Sequence, residues 1–118
     1  MHKENSKLNA SQLLTILDNA ALYGIHSVKQ LHFFIDVAML IESQADRPTL
    51  MQLSHSDDGY DPEYKRVQSI FLKLSSGSKS RDRDGLDLLS FLNQGKNKRI
   101  ILTKKGADLW EAIKILIG

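Results

Sequence analysis

The feature that most constrains this chain is a pair of helix starts with a turn between them. Thr49-Leu50-Met51-Gln52 is a capping box, in which a hydroxyl and an amide side chain satisfy backbone N–H groups that a helix N-terminus leaves open. Asp61-Pro62-Glu63 is a second start. It has a carboxylate cap, a proline at the first helical position where no N–H is required, and an acid in the positive first turn. Between them, Ser56-Asp57-Asp58-Gly59-Tyr60-Asp61 has the composition of a turn. A short helix ending near Ser54, a turn and a second helix make a helix-turn-helix.

The second of these helices is two-faced. Val67, Ile70, Phe71 and Leu74 share one side at helical spacing. At about 100° per residue the opposite side is centred on Lys65, Ser69 and Leu72, flanked by Arg66, Gln68 and Lys73. One stripe packs, and a mostly polar, basic stripe faces outward with Leu72 exposed in it. Upstream, Ser11 is the expected cap of a first helix carrying Leu13, Leu14, Leu17, Ala20 and Ala21, with Gly24 placed to end it. Ser27-Val28-Lys29-Gln30 repeats the capping-box pattern, and Leu31, Phe34, Ile35, Ala38 and Ile41 form the buried face of the helix it opens. That helix fades before Arg47-Pro48.

Downstream, Ser75–Gly85 is rich in serine, glycine and charge and is expected to be a flexible loop. Leu86 to Leu92 and Arg99 to Leu102 are strand-like, and Gln94-Gly95-Lys96-Asn97 supplies the tip of a β-hairpin. Thr103 then caps a last helix with Leu109, Trp110, Ile113 and Ile117 inward. Ile115 and Leu116 make that helix apolar on more than one side. It therefore has a second side to bury, in a homodimer interface or by deeper burial within its own chain. The expected architecture is mainly α with a small β-hairpin, α+β: a polar tail over 1–10 and a single domain over 11–118.

Charge is unevenly spread along this chain. Met1 to Asp61 holds four Lys/Arg against eight Asp/Glu, whereas Pro62 to Gly106 holds eleven against four, in a chain of net charge +2. The stretch NQGKNKRIILTKKG, Asn93 to Gly106, has five positive charges and no acid. Charge of one sign on one face steers an anionic partner or keeps that face solvated, and the count alone favours neither. A helix of this width fits the DNA major groove, and a basic hairpin beside it can neutralise phosphate. The candidate DNA contacts are Lys65, Arg66, Gln68, Ser69 and Lys73 on the helix and Lys96, Asn97, Lys98 and Arg99 on the hairpin. The bland counterparts are a solvated helix face and a hairpin charged against edge-to-edge pairing.

Asn97-Lys98-Arg99-Ile100-Ile101-Leu102-Thr103-Lys104-Lys105-Gly106-Ala107 resembles the MarR family of bacterial winged-helix transcription regulators. It is similar to that family's wing end, last strand and "L-T-x-K-G" helix start. The order of elements from Ser11 to Gly118 also resembles the family. The turn around Asp57, Asp58 and Asp61 is longer and more acidic than the family's, and the Ser75–Gly85 loop is longer. The resemblance implies a winged helix-turn-helix, with recognition helix at about 62–74 and wing at about 86–102. It further implies a transcriptional regulator that binds pseudo-palindromic double-stranded DNA as a homodimer. The dimer would form through the terminal helices, with Leu13, Leu17, Trp110, Ile113, Leu116 and Ile117 at the interface. A winged-helix protein-interaction module, or a replication or partition factor of a mobile element, remains the alternative.

Other chemistry finds little support. The absence of cysteine excludes disulfides and thiolate zinc sites. His2, His26, His32 and His55 lack metal-ligand spacing, although His26 and His32 lie near one another in sequence. No phosphate-binding glycine loop or nucleophile elbow occurs, and Asp57 and Asp58 are adjacent rather than convergent. The expectation is a non-enzymatic protein with no metal or cofactor. The polar start of the chain and the lack of a membrane-length apolar run make the cytoplasm the expected location.

Overall fold

A computed structural model describes residues 9–43, 48–55, 60–78, 83–94 and 97–117, with the backbone alone over 77–78, 83–84, 93–94 and 97–98. The elements run α1 (Ala10–Leu22), α2 (Val28–Ser43), α3 (Leu50–Ser54), α4 (Pro62–Leu74), β1 (Gly77–Ser78), β2 (Arg83–Asp84), β3 (Leu89–Gln94), β4 (Asn97–Leu102) and α5 (Lys104–Ile117). The architecture is mostly helical with antiparallel hairpins, as the α+β expectation has it. None of the described helices is long and apolar enough to cross a membrane.

Local chemistry accounts for the helix boundaries. Thr49 accepts from the Gln52 backbone N–H while the Gln52 side chain accepts from Thr49, so the expected box opens α3. His55 ends that helix in the left-handed region at φ 57°. Asp61 caps α4, accepting from Glu63 N at 2.8 Å with Pro62 at the first helical position. Ser27 Oγ accepts from Gln30 N at 3.4 Å at the start of α2. The first helix departs from expectation: its cap is Asn9, not Ser11, because Asn9 and Gln12 form a reciprocal box that starts two residues earlier. Its end is as expected, with Gly24 at φ +94° just beyond Tyr23, a conformation that glycine adopts without strain.

One core joins every helix to the β3–β4 hairpin. Ile16 and Ala20 of α1, Phe34, Val37 and Ala38 of α2, Leu50 of α3, Val67, Phe71 and Leu74 of α4, Leu89 and Ile100 of the hairpin, and Leu109 and Ile113 of α5 are all buried in it. Several positions differ from the periodicity. Leu13 and Leu14 are exposed because α1 lays only the Ile16–Ala20 edge of its wide apolar arc on the core. In α2, Val37 is buried where Ile35 and Ile41 are only partly so. Ile117 is 41% exposed rather than inward, while its neighbour Leu116 packs partly against the core.

The hairpin also starts later than expected. β3 pairs antiparallel with β4 from Leu89↔Leu102 to Gln94↔Asn97, so Leu86 to Leu88 precede the strand. These residues instead run back along the end of α4. Leu86 N bonds Lys73 O at 3.0 Å, Asp87 N bonds Ser75 O at 2.9 Å and Leu88 N bonds Leu74 O at 2.8 Å. The Ser75–Gly85 excursion is therefore closed at its base, where Gly77↔Asp84 and Ser78↔Arg83 pair as β1 and β2 instead of forming an unpaired loop. The turn at 56–59, the loop at 79–82, the hairpin tip at 95–96 and the tail over 1–8 lie outside the described residues.

Candidate nucleic-acid interface

Helix α4 is held to the core by Val67, Phe71 and Leu74, and that anchoring fixes which side faces out. Lys65, Arg66, Gln68, Ser69 and Lys73 are all exposed. Leu72 is half-buried, not exposed, so the outward stripe is more uniformly polar than the helical wheel alone suggests. Lys73 lies in the last turn, where the helix dipole favours a cation.

Arg66 is engaged differently from its neighbours. Its guanidinium hydrogen-bonds Glu63 one turn earlier, through Nε at 3.0 Å and through a second nitrogen. That pairing holds the Glu63 carboxyl below the ordinary carboxylate range and raises Arg66 above its ordinary value. Arg66 also lines a groove of about 390 Å³ between α2 and α4, with Val28, Lys29, His32, Phe33, Asp36, Leu53, Val67 and Ile70. His32 Nδ1 lies 3.1 Å from Asp36 Oδ2 in that groove. No group of three or more His, Asp or Glu side chains among the described residues is arranged to hold a metal ion.

One residue on this surface has no helical periodicity to reveal it. Tyr60 precedes the α4 cap and is 85% exposed, and Lys65 Nζ stands 5.7 Å from its ring centroid. The aromatic ring thus flanks the N-terminal end of the basic stripe. Only the composition beside it, a tyrosine just before a capped basic helix, hints at this in the sequence.

The hairpin is locked to the same helix. The Phe71 and Phe91 rings stack at 4.4 Å between centroids and 29° between planes. On its other edge β4 is tied to the segment before α3 by Ile100 N to Pro48 O at 2.8 Å. Arg99, opposite Leu92, is half-buried. Asn97 and Lys98 pair in backbone register with Gln94 and Asn93, their side chains lying outside the described residues along with all of Lys96.

The segment Leu102-Thr103-Lys104-Lys105-Gly106 has a clear mechanical role. Thr103 Oγ1 donates to Asp87 O at 2.6 Å and accepts from Gly106 N at 3.0 Å, while Thr103 N donates to Leu88 O at 3.1 Å. One threonine therefore caps α5 and ties it to the entry of β3. Gly106 is required by close approach: a Cβ there would stand 2.0 Å from Leu88 O. Lys104 and Lys105 are exposed in the first turn of α5, which has no acid. That is the end of a helix where cations are disfavoured unless an anion is nearby.

The expected interface residues on the terminal helices divide into two groups. Trp110 and Ile113 are buried inside the chain's own core, which removes them from any surface a second copy could meet. Leu17 and Leu116 are partly buried, and α1 packs on α5 with Gln12 Nε2 donating to Leu116 O at 3.0 Å. Leu13, Leu14, Ile115 and Ile117 are exposed. Set beside known proteins, the chain matches no family model, no curated protein and no solved structure.

Proposed function

We propose that this protein is a winged helix-turn-helix of MarR-like type that binds duplex DNA as a homodimer and regulates transcription. The observation that carries the reading is the α4 stripe. Lys65, Gln68, Ser69 and Lys73 are exposed on a helix whose other face is fixed in the core, and that helix is joined by Phe71–Phe91 stacking to a hairpin bearing Lys98 and Arg99. In this reading α4 enters the major groove, where side chains on its outer stripe reach base edges. The β3–β4 hairpin follows the flanking backbone or minor groove, and Lys104 and Lys105 find their anion in phosphate. Exposed Leu13, Leu14 and Ile117 on the packed terminal helices supply apolar area for a two-fold pairing of chains.

The groove between α2 and α4 supports a second reading, a protein-interaction module, because Val28 at its edge is 74% exposed. Selecting bound fragments from the source genome separates the two. The DNA reading expects an enriched pseudo-palindrome with half-sites about one helical turn apart, mirroring a two-fold dimer. Recovery of no enriched site removes the sequence-specific regulator.

A further inference from the structure

We infer that Tyr60 and Lys65 act on DNA as one coupled unit, the phenol hydroxyl donating to a backbone phosphate while its ring holds the Lys65 ammonium in place. This deepens the DNA-binding reading and rests on it. Three observations meet at this point. Tyr60 is 85% exposed, an unusual position for a large aromatic side chain. Its ring lies 5.7 Å from Lys65 Nζ, within the range of a cation–π contact. It immediately precedes Asp61, whose Oδ1 accepts from Glu63 N at 2.8 Å, so Tyr60 stands at the capped entry of the helix.

The chemistry of the pair follows from those positions. A lysine on an exposed helix face loses side-chain freedom when it meets a phosphate, and a ring that already restrains it lowers that loss. A phenol hydroxyl at the N-terminal entry of a groove-bound helix is suited to phosphate, since tyrosine hydroxyls commonly bond backbone oxygens and set register without reading bases. Tyr60 would therefore position α4 rather than choose the sequence, and Lys65 would be its partner on the stripe.

The test is a titration of a labelled random-sequence duplex with the full chain, followed by anisotropy at low salt. Wild type, Tyr60→Phe and Tyr60→Ala are measured, each with and without Lys65→Ala. Tyr60→Phe is expected to weaken binding about tenfold, the size of a hydrogen bond to a charged group. Tyr60→Ala is expected to lose a further two- to fivefold, and that extra loss disappears once Lys65 is alanine. Thermal melts of the variants are expected to match wild type because both side chains are exposed. If wild type binds and the Tyr60 variants bind equally well, or if the extra loss persists without Lys65, the coupled pair is overturned and the DNA reading stands. If wild type shows no binding, both fall.

Discussion

Gly106 sets two physical preferences against each other. In a helix interior, alanine is favoured over glycine by about 1 kcal/mol, so propensity alone makes Gly106→Ala stabilising. The Leu88 carbonyl would stand 2.0 Å from the new methyl, and both groups belong to backbone that three hydrogen bonds hold in place. The clash should win, with a net loss of about 1–3 kcal/mol in denaturant unfolding, the usual cost of overpacking. Thr103→Ala should also destabilise, since it removes the hydroxyl that caps α5 and ties it to Asp87. Among the proposed DNA contacts, Lys98→Ala and Arg99→Ala should weaken binding to all duplexes and flatten its salt dependence. Changes at Gln68 or Ser69 should instead alter sequence preference. Competition between specific and random duplex distinguishes these, and equal effects from both sets would contradict the assignment.

Between elements, the exposed tie from α2 to α5 has a defined pH signature. Lys114 bonds Glu42, lies 3.2 Å from Glu111 and stands 5.8 Å over the Trp110 ring. The Lys114 ammonium holds the Glu42 carboxyl below its ordinary range. Glu42 and Glu111 in turn raise Lys114. A carboxyl with a lowered folded-state pKa contributes stability above its unfolded value and loses it as pH falls through the folded one. The raised lysine contributes below its ordinary value and loses that as pH climbs through the raised one. Thermal melts of wild type and Glu42→Gln should differ slightly near neutral pH and converge as acid titrates Glu42 below its lowered folded-state pKa and neutralises the carboxylate. Elements with a local signal were legible in advance: the Thr49 and Asp61 caps, Gly24 and the Thr103 start all depend on neighbours in sequence. The closed base of the 75–85 excursion was not, because its bonds join Lys73, Leu74 and Ser75 to Leu86, Leu88 and Asp87 through tertiary approach. The α4 stripe was readable from spacing. Tyr60 beside it was not, because no period links a residue outside a helix to a lysine within it.

Across the whole molecule, three surfaces are joined to one core. The α4 stripe and the β3–β4 hairpin are fastened to each other through Phe71 and Phe91, and α5 is fastened to the hairpin entry through Thr103 and Gly106. The exposed Leu13, Leu14 and Ile117 lie on the α1–α5 pair. Leu14→Asp should leave the fold intact, since Leu14 is 60% exposed, and on the proposed homodimer it should shift the sedimenting species from dimer to monomer, whereas a wild type that sediments as a monomer would contradict that pairing. The proposed function stands or falls on contact with DNA phosphate. Its most direct test is the affinity of the full chain for duplex DNA across a salt series. With about five to eight phosphates neutralised, log affinity should fall linearly with log salt with a slope of about −4.5 to −7. No binding at low salt, or binding indifferent to salt, would contradict it.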